Sequence, residues 1–361
     1  MSRPTGCRKG FQTQPRMERY DARSLQLPQR LRPVARGTSA AEYYRSITEC
    51  GCREGALLDP IPPPEEDDRM TRTHRTPHPI EGPIVQSHGG CADAAEQAPA
   101  MDPATSEVAD GVFWYNAGTH NAFFVDTDDG VVAVDPISME AAAGLAGAIR
   151  GAVPDKPLAA IVYSHSDADH ATGAPALLAE FGDDVPIIAQ ENALPIILER
   201  GDPDLPPPDL TFSDEMTLRF GGRAIELHYL GRSHSDNLIV TFLPEERIAF
   251  AVDFVSNDRV GFRDLPGWYF DEFYVALDLL MEIPFETMVF GHGTVGDRGT
   301  IERQLAYYAD LRDAVQSALD EGLSEEEAMA QVRLDDYAHW GQYEEWFPLN
   351  VGAVYRWLAS S

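Results

Sequence analysis

The sequence has no apolar run of about 18 or more residues, so it encodes no evident membrane-spanning helix, and no membrane partner is expected. It also has almost no lysine. Lys9 and Lys156 stand alone among 28 basic residues, against 59 acidic ones, for a net charge of −31. Such a surface repels phosphate backbones and argues against a nucleic-acid partner. Cysteine is scarce: Cys7, Cys50, Cys52 and Cys91 all fall in the first hundred residues. Cys50-Gly51-Cys52 lacks the usual spacing of a structural zinc site, so these are read as free thiols. The opening Met1-Ser2-Arg3-Pro4 runs into Arg and Gln without an apolar stretch, and a cytoplasmic protein is expected.

What is present falls into two parts. Residues 1–105 are rich in Arg, Pro, Gln, Ser and Thr, carry Pro62-Pro63-Pro64 followed by Glu65-Glu66-Asp67-Asp68, and show no sustained apolar period. Such a segment cannot bury enough surface to offset ordering entropy, and a disordered extension is expected. Residues 106–361 read as a catalytic domain with a helical C-terminal tail. Short β-rich runs are expected at Val112–Tyr115, Ala122–Val125, Val131–Val134, Leu158–Tyr163, Val185–Ala189, Thr217–Phe220, Ala224–Leu230, Leu238–Leu243, Arg247–Val252 and Thr287–Phe290. Helices are expected at Met139–Arg150, Gly173–Phe181, Val275–Glu282, Thr300–Glu321 and Ser324–Val332. Two shorter helical pieces would carry Trp340, Trp346 and Trp357. Strands and helices alternating in two sets imply a layered α/β sandwich.

Four expected strands end in histidine or aspartate. The first leads into His165-Ser166-Asp167-Ala168-Asp169-His170, which packs four candidate metal ligands into six positions. The second leads to His234, the third to Asp253, and the fourth to His292 between Gly291 and Gly293, where glycine lets backbone approach closely. A single such residue is usually a turn or cap group. Four in series at strand ends are a pattern.

In order and placement this pattern resembles the metallo-β-lactamase superfamily, whose signature is H-x-H-x-D-H followed by a single His, an Asp and a His. The resemblance covers about residues 108–295, with separations like those of the glyoxalase II-like hydrolases. It implies an αββα sandwich with two divalent metal ions at the edge between its sheets, zinc before iron or manganese. His165, Asp167 and His234 would bind one ion; Asp169, His170 and His292 would bind the other; Asp253 would bridge them. A metal-bridging water or hydroxide would then attack a small ester, lactone, thioester or related substrate, with Asp169 helping to orient it. Asn237 and Tyr269 are candidate substrate contacts, and Asp135 a carboxylate supporting a ligand. His120 and His228 read as loop and strand histidines outside the site.

One position departs from the signature: Asp167 stands where the family has His. A carboxylate there shifts preference toward iron or manganese and weakens the ion as a Lewis acid. Flavodiiron oxygen reductases share a carboxylate at this position, which leaves a di-iron redox protein as an alternative, although no flavodoxin-like segment is present. A catalytically inactive binding relative is the other. The aromatic tail with Tyr337, Trp340, Tyr343 and Trp346 is expected to cover the cleft or to mediate a homodimer.

Overall fold

The computed structural model describes residues 103–360. The expected extension, with its four cysteines, therefore lies outside the described residues apart from residues 103–105. β1 (Ala104–Ala109) already includes the last two of these.

Four strands run antiparallel at the start: β1, β2 (Val112–Asn116), β3 (Asn121–Thr127) and β4 (Gly130–Val134). β5 (Leu158–Val162), β6 (Ile187–Gln190) and β7 (Leu210–Phe212) then add in parallel, giving a seven-stranded sheet in sequence order. The second sheet has six strands in the order β13-β12-β11-β10-β9-β8. These are β8 (Glu215–Phe220), β9 (Arg223–Tyr229), β10 (Ile239–Leu243), β11 (Ile248–Ala251), β12 (Thr287–Phe290) and β13 (Gly296–Asp297).

Period-two alternation explains how the layers stack. Phe123, Val125, Val132 and Val134 point between the sheets, where the Phe123 ring stacks on Phe250 of β11 at 5.5 Å. Their neighbours Ala122, Phe124, Val131 and Ala133 point outward, under α1 (Met139–Ala152) and α3 (Ala174–Phe181). With both faces covered, every residue of β4 is buried, hence its unbroken apolar run. Truncating Phe123 would remove that inter-sheet contact at a cost of about 3–5 kcal/mol. α5 (Phe270–Glu282) and α6 (Arg298–Asp320) pack residues such as Phe273, Leu277, Ile301 and Leu311 into the core shared with the second sheet. The result is an αββα sandwich.

α1 starts where the Ser138 hydroxyl accepts the Ala141 amide. α6 opens on a reciprocal Asp297–Thr300 capping pair, and α7 (Glu325–Gln331) on the same device from Ser324 and Glu327. Several elements differ from expectation, and strands β1, β7 and β13 are not among those expected. α4 (Ala193–Arg200) was not foreseen. α5 begins five residues before the expected Val275, because Phe270, Asp271 and Glu272 form its first turn. In place of the two shorter tail helices there is a 3₁₀ turn at Asp335–Tyr337, and then α8 (Tyr343–Ser360), a single helix that tolerates Pro348 and carries both Trp346 and Trp357. Trp346 packs edge-on against Phe262 at 5.0 Å and Trp340 lies 5.2 Å from Tyr307, so these aromatics are core. No helix among the described residues is long and apolar enough to cross a membrane.

Candidate metal centre

Each chemistry-bearing loop leaves the end of a strand along one edge of the sandwich. β5 delivers Ser164 and His165. Asp167 then occupies the N-cap position of α2 (Ala168–Ala171), a single turn carrying Asp169 and His170. The loop after β9 brings His234, β11 runs directly into Asp253, and β12 runs into His292. Asp253 takes a left-handed backbone with φ 58°, rare for a residue with a side chain. Gly291 is needed beside it, because a Cβ there would lie 2.3 Å from Val252 Cγ1.

The side chains converge. Asp253 Oδ1 is 2.8 Å from His292 Nε2, while Oδ2 is 3.1 Å from His165 Nε2, 3.4 Å from His170 Nε2 and 3.7 Å from His234 Nε2. Asp167 Oδ2 lies 3.5 Å from His165 Nε2 and 3.4 Å from His234 Nε2. Donor atoms of His165, Asp167 and His234 fall within 4.8 Å of one another, as do those of His120, Asp169, His170 and His292, and those of His165, His170 and Asp253. The seven residues singled out in the sequence are thus brought together in the expected two sets, with the Asp253 carboxylate touching both.

The chemistry of the donors fits divalent ions. Nε2 of His165 and of His170 is sealed from solvent and makes no hydrogen bond, a costly state for a lone imidazole nitrogen and an ordinary one for a ligand. The opposite ring nitrogens are engaged. His170 Nδ1 lies 2.9 Å from Asp135 Oδ2, His165 Nδ1 lies 3.0 Å from Ser164 Oγ, and His292 Nδ1 donates to the Thr119 carbonyl at 3.0 Å. Such outer contacts fix ring orientation and direct the free nitrogen inward.

Electrostatics follow from the packing. Burial alone would lower the His165 pKa, but the carboxylates of Asp167 and Asp253 outweigh it and push it up to about 10. His170 is held well above its ordinary value, where Asp253 and Asp169 likewise overcome burial. Burial pushes His292 down to about 4. Burial would raise Asp167, Asp169 and Asp253, yet the surrounding imidazoles hold all three low.

Two residues of the centre were not identified from the sequence. His120, read as a loop histidine, places Nε2 2.9 Å from Asp169 Oδ2 and its ring 4.5 Å from that of His292. It sits on the β2–β3 connection, and Asn121 beside it pins the His292 loop by donating to the Phe290 and Gly293 carbonyls. Arg200, at the end of α4, donates to Asp167 Oδ1 at 3.3 Å and to the Ser166 carbonyl. Only its place in the last turn of an apolar helix could have drawn attention to it.

The candidate substrate contacts divide. Asn237 is buried; its Oδ1 accepts the Ser166 amide at 2.8 Å, and its Nδ2 reaches Ser166 Oγ and Asp236 Oδ1. That makes it a brace beneath the His165–His170 loop, its polar atoms engaged within the protein. Tyr269 precedes α5, donates its amide to the Ser233 carbonyl and stacks its ring 4.6 Å from the Arg232 guanidinium, beside the His234 loop. His228 pairs with Glu226 at 3.3 Å on β9, away from the cluster.

Comparison with known proteins gives the following. Residues 115–292 match the family model of the metallo-beta-lactamase superfamily. Two curated relatives are the subunits of a 2,4-dinitroanisole O-demethylase of Nocardioides sp. (strain JS1661). The alpha subunit is 26% identical over 229 residues, 62% of this chain and 69% of that one. The beta subunit is 24% identical over 264 residues, 72% of this chain and 81% of that one. Among solved structures, a stereoselective inverting sec-alkylsulfatase from Pseudomonas sp. superposes with a TM-score of 0.54 at 17% identity, covering 70% of this chain and 50% of that one. That likeness is one of fold.

Proposed function

The chain belongs to the metallo-beta-lactamase superfamily through the domain at residues 115–292, and on that premise we propose that it is a binuclear metal-dependent hydrolase of a small organic substrate. The observation that carries this reading is the convergence of imidazoles and carboxylates on one edge of the sandwich, with His165 Nε2 and His170 Nε2 buried and without hydrogen-bond partners.

In this reading His165, Asp167 and His234 hold one ion. Asp169, His170 and His292 would hold the other, and the Asp253 carboxylate, which lies within reach of His165, His170, His234 and His292, would be shared between them. A divalent pair bound there, zinc in the first instance, would supply a water acidified toward neutral pH and positive charge for a developing oxyanion. The chain's own residues do the positioning. Asp169, held by His120 at 2.9 Å, would orient a water at the centre. Asp135 and the Thr119 carbonyl keep His170 and His292 aimed inward.

The substrate classes supported by the superfamily are esters, lactones, thioesters and sulfates. The O-demethylase relatives add aryl methyl ethers to the set worth assaying. The test is a screen of these classes with metal-loaded protein, with chelator-treated and re-metallated controls. Turnover of one class that disappears on chelation and returns with added zinc is the expected result. No turnover of any class by a fully loaded protein would defeat the hydrolase reading.

A further inference from the structure

Asp253 is the root of an irregular segment that runs on past Leu265 toward α5, and the backbone of this segment is strained. Asp253, Asp258, Arg263 and Leu265 take left-handed φ angles of 58°, 45°, 46° and 53°, a region that residues with a Cβ rarely enter. Such conformations persist only where the surroundings over-determine them. The segment belongs to neither sheet, so its buried backbone groups need partners other than a ladder.

Those partners come from the C-terminal part of the chain, beyond the residues that match the superfamily model. On α6, Gln304 Oε1 accepts the Ser256 amide at 2.8 Å and Gln304 Nε2 donates to Ser256 Oγ at 3.1 Å. The Ser256 hydroxyl in turn donates to the Arg259 carbonyl at 3.2 Å. The far end is held separately. Gly341 donates its amide to the Asp258 carbonyl at 2.9 Å and accepts the Val260 amide at 3.3 Å. On α8, Asn350 Nδ2 donates to the Gly261 carbonyl at 2.9 Å and to the Arg263 carbonyl, while its Oδ1 accepts the Tyr307 hydroxyl. Gln304 and Asn350 are 1% and 0% exposed, so water does not compete for these bonds.

The position of Asp253 tolerates little error. Its Oδ1 lies 2.8 Å from His292 Nε2, and its Oδ2 lies 3.1 Å from His165 Nε2 and 3.4 Å from His170 Nε2. Relaxing φ at Asp253 toward the ordinary negative region would swing the carboxylate away from one set of imidazoles or the other. Gln304 grips the backbone three residues further on, the nearest of the contacts from the C-terminal helices.

We propose that Gln304 is a positioning residue of the metal centre: from α6 it fixes the strained backbone after β11 so that the Asp253 carboxylate reaches both sets of ligands. The proposal rests on the metal-binding part of the reading above and not on hydrolysis.

The test is competition titration of chelated full-length protein with zinc against a chromophoric chelator. It compares wild type, Gln304→Leu, Gln304→Glu and Leu311→Ala, after thermal melts establish that each is folded. Leu311 packs in the core from the same helix, and its side chain can offer the segment no hydrogen bond. Gln304→Leu is expected to weaken both binding steps at least about 10-fold, because Asp253 is common to both ions. Gln304→Glu keeps an acceptor for the Ser256 amide and should recover most of that loss. Leu311→Ala should melt lower yet keep both steps within about 3-fold of wild type. Unchanged affinities in Gln304→Leu, or an equal loss in Leu311→Ala, overturn the proposal. If Gln304→Leu does not fold, Ser256→Ala decides: a loss in both steps supports the proposal and unchanged affinities overturn it. A wild type that binds no zinc overturns the metal-centre reading and this proposal together, whereas binding that is indifferent to Gln304 overturns this proposal alone. Gln304-dependent binding without turnover in the substrate screen would defeat the hydrolase reading alone.

Discussion

Asp135 Oδ2 sits 2.9 Å from His170 Nδ1 and also accepts the Ser164 hydroxyl at 2.8 Å, while Asp135 Oδ1 accepts the Ser164 amide at 2.7 Å. One buried carboxylate at the end of β4 thus sets both the imidazole of His170 and the start of the loop that carries His165. It does so from a left-handed backbone, φ 57°, that an asparagine also tolerates. Asp135→Asn should fold and bind metal about 10- to 100-fold more weakly, as read by competition against a chromophoric chelator. Unchanged affinity would mean that the contact positions nothing.

His120 should matter to the second ion and not to the first. His120→Ala is expected to lower the affinity of one of two binding steps, leaving the other within about 3-fold, because it removes the group holding Asp169. Stepwise metal titration separates the two; a uniform loss or no loss contradicts this.

Asp167 and Arg200 form a pair in which the arginine offsets the carboxylate that replaces the family's histidine. Asp167 is about a third exposed, so the pair itself adds little to stability. Its consequence lies in the charge seen by the ion. Asp167→His is expected to retain metal and raise the zinc-to-iron ratio; combining it with Arg200→Met should restore any affinity lost to repulsion. Loss of all metal in Asp167→His would show that the histidine cannot reach the site.

The pH dependence of the chelated protein follows from His165. Its folded-state pKa, about 10, exceeds the ordinary value of 6.5, so its contribution to stability is fully present below about 6.5 and is lost as pH rises through 10. Asp167 and Asp253, held low, contribute the opposite dependence, present above the ordinary carboxylate range and lost in acid. The melting temperature of chelated protein should therefore fall between pH 7 and 10. Metal-loaded protein, whose histidines are already deprotonated, should fall less, and metal uptake at pH 7 should release protons. A chelated melting temperature independent of pH over that range would contradict the cluster's electrostatics.

Much of this was legible in the sequence because strand-end histidines and aspartates follow short apolar runs whose period of two is plain. His165, Asp167, Asp169, His170, His234, Asp253 and His292 could be picked out that way, as could Asp135. What escaped depended on contacts remote in sequence. His120 reaches Asp169 across 49 positions and Arg200 reaches Asp167 across 33. Asn237 looked available to substrate until its amide proved to be spent on Ser166. α8 is one helix where two shorter pieces are expected: Trp346, Phe347, Val351 and Val354 bury enough surface to carry it through Pro348, a residue that normally breaks a helix.

The central claim is that these side chains grip a pair of ions through a shared Asp253, and elemental analysis of purified wild type beside Asp253→Ala addresses it most directly. The account predicts about two divalent ions per wild-type chain and fewer than about one in the variant, with loss of hydrolysis. A wild type that carries no stoichiometric metal after incubation with excess zinc, or an Asp253→Ala protein that keeps its full complement, would contradict it.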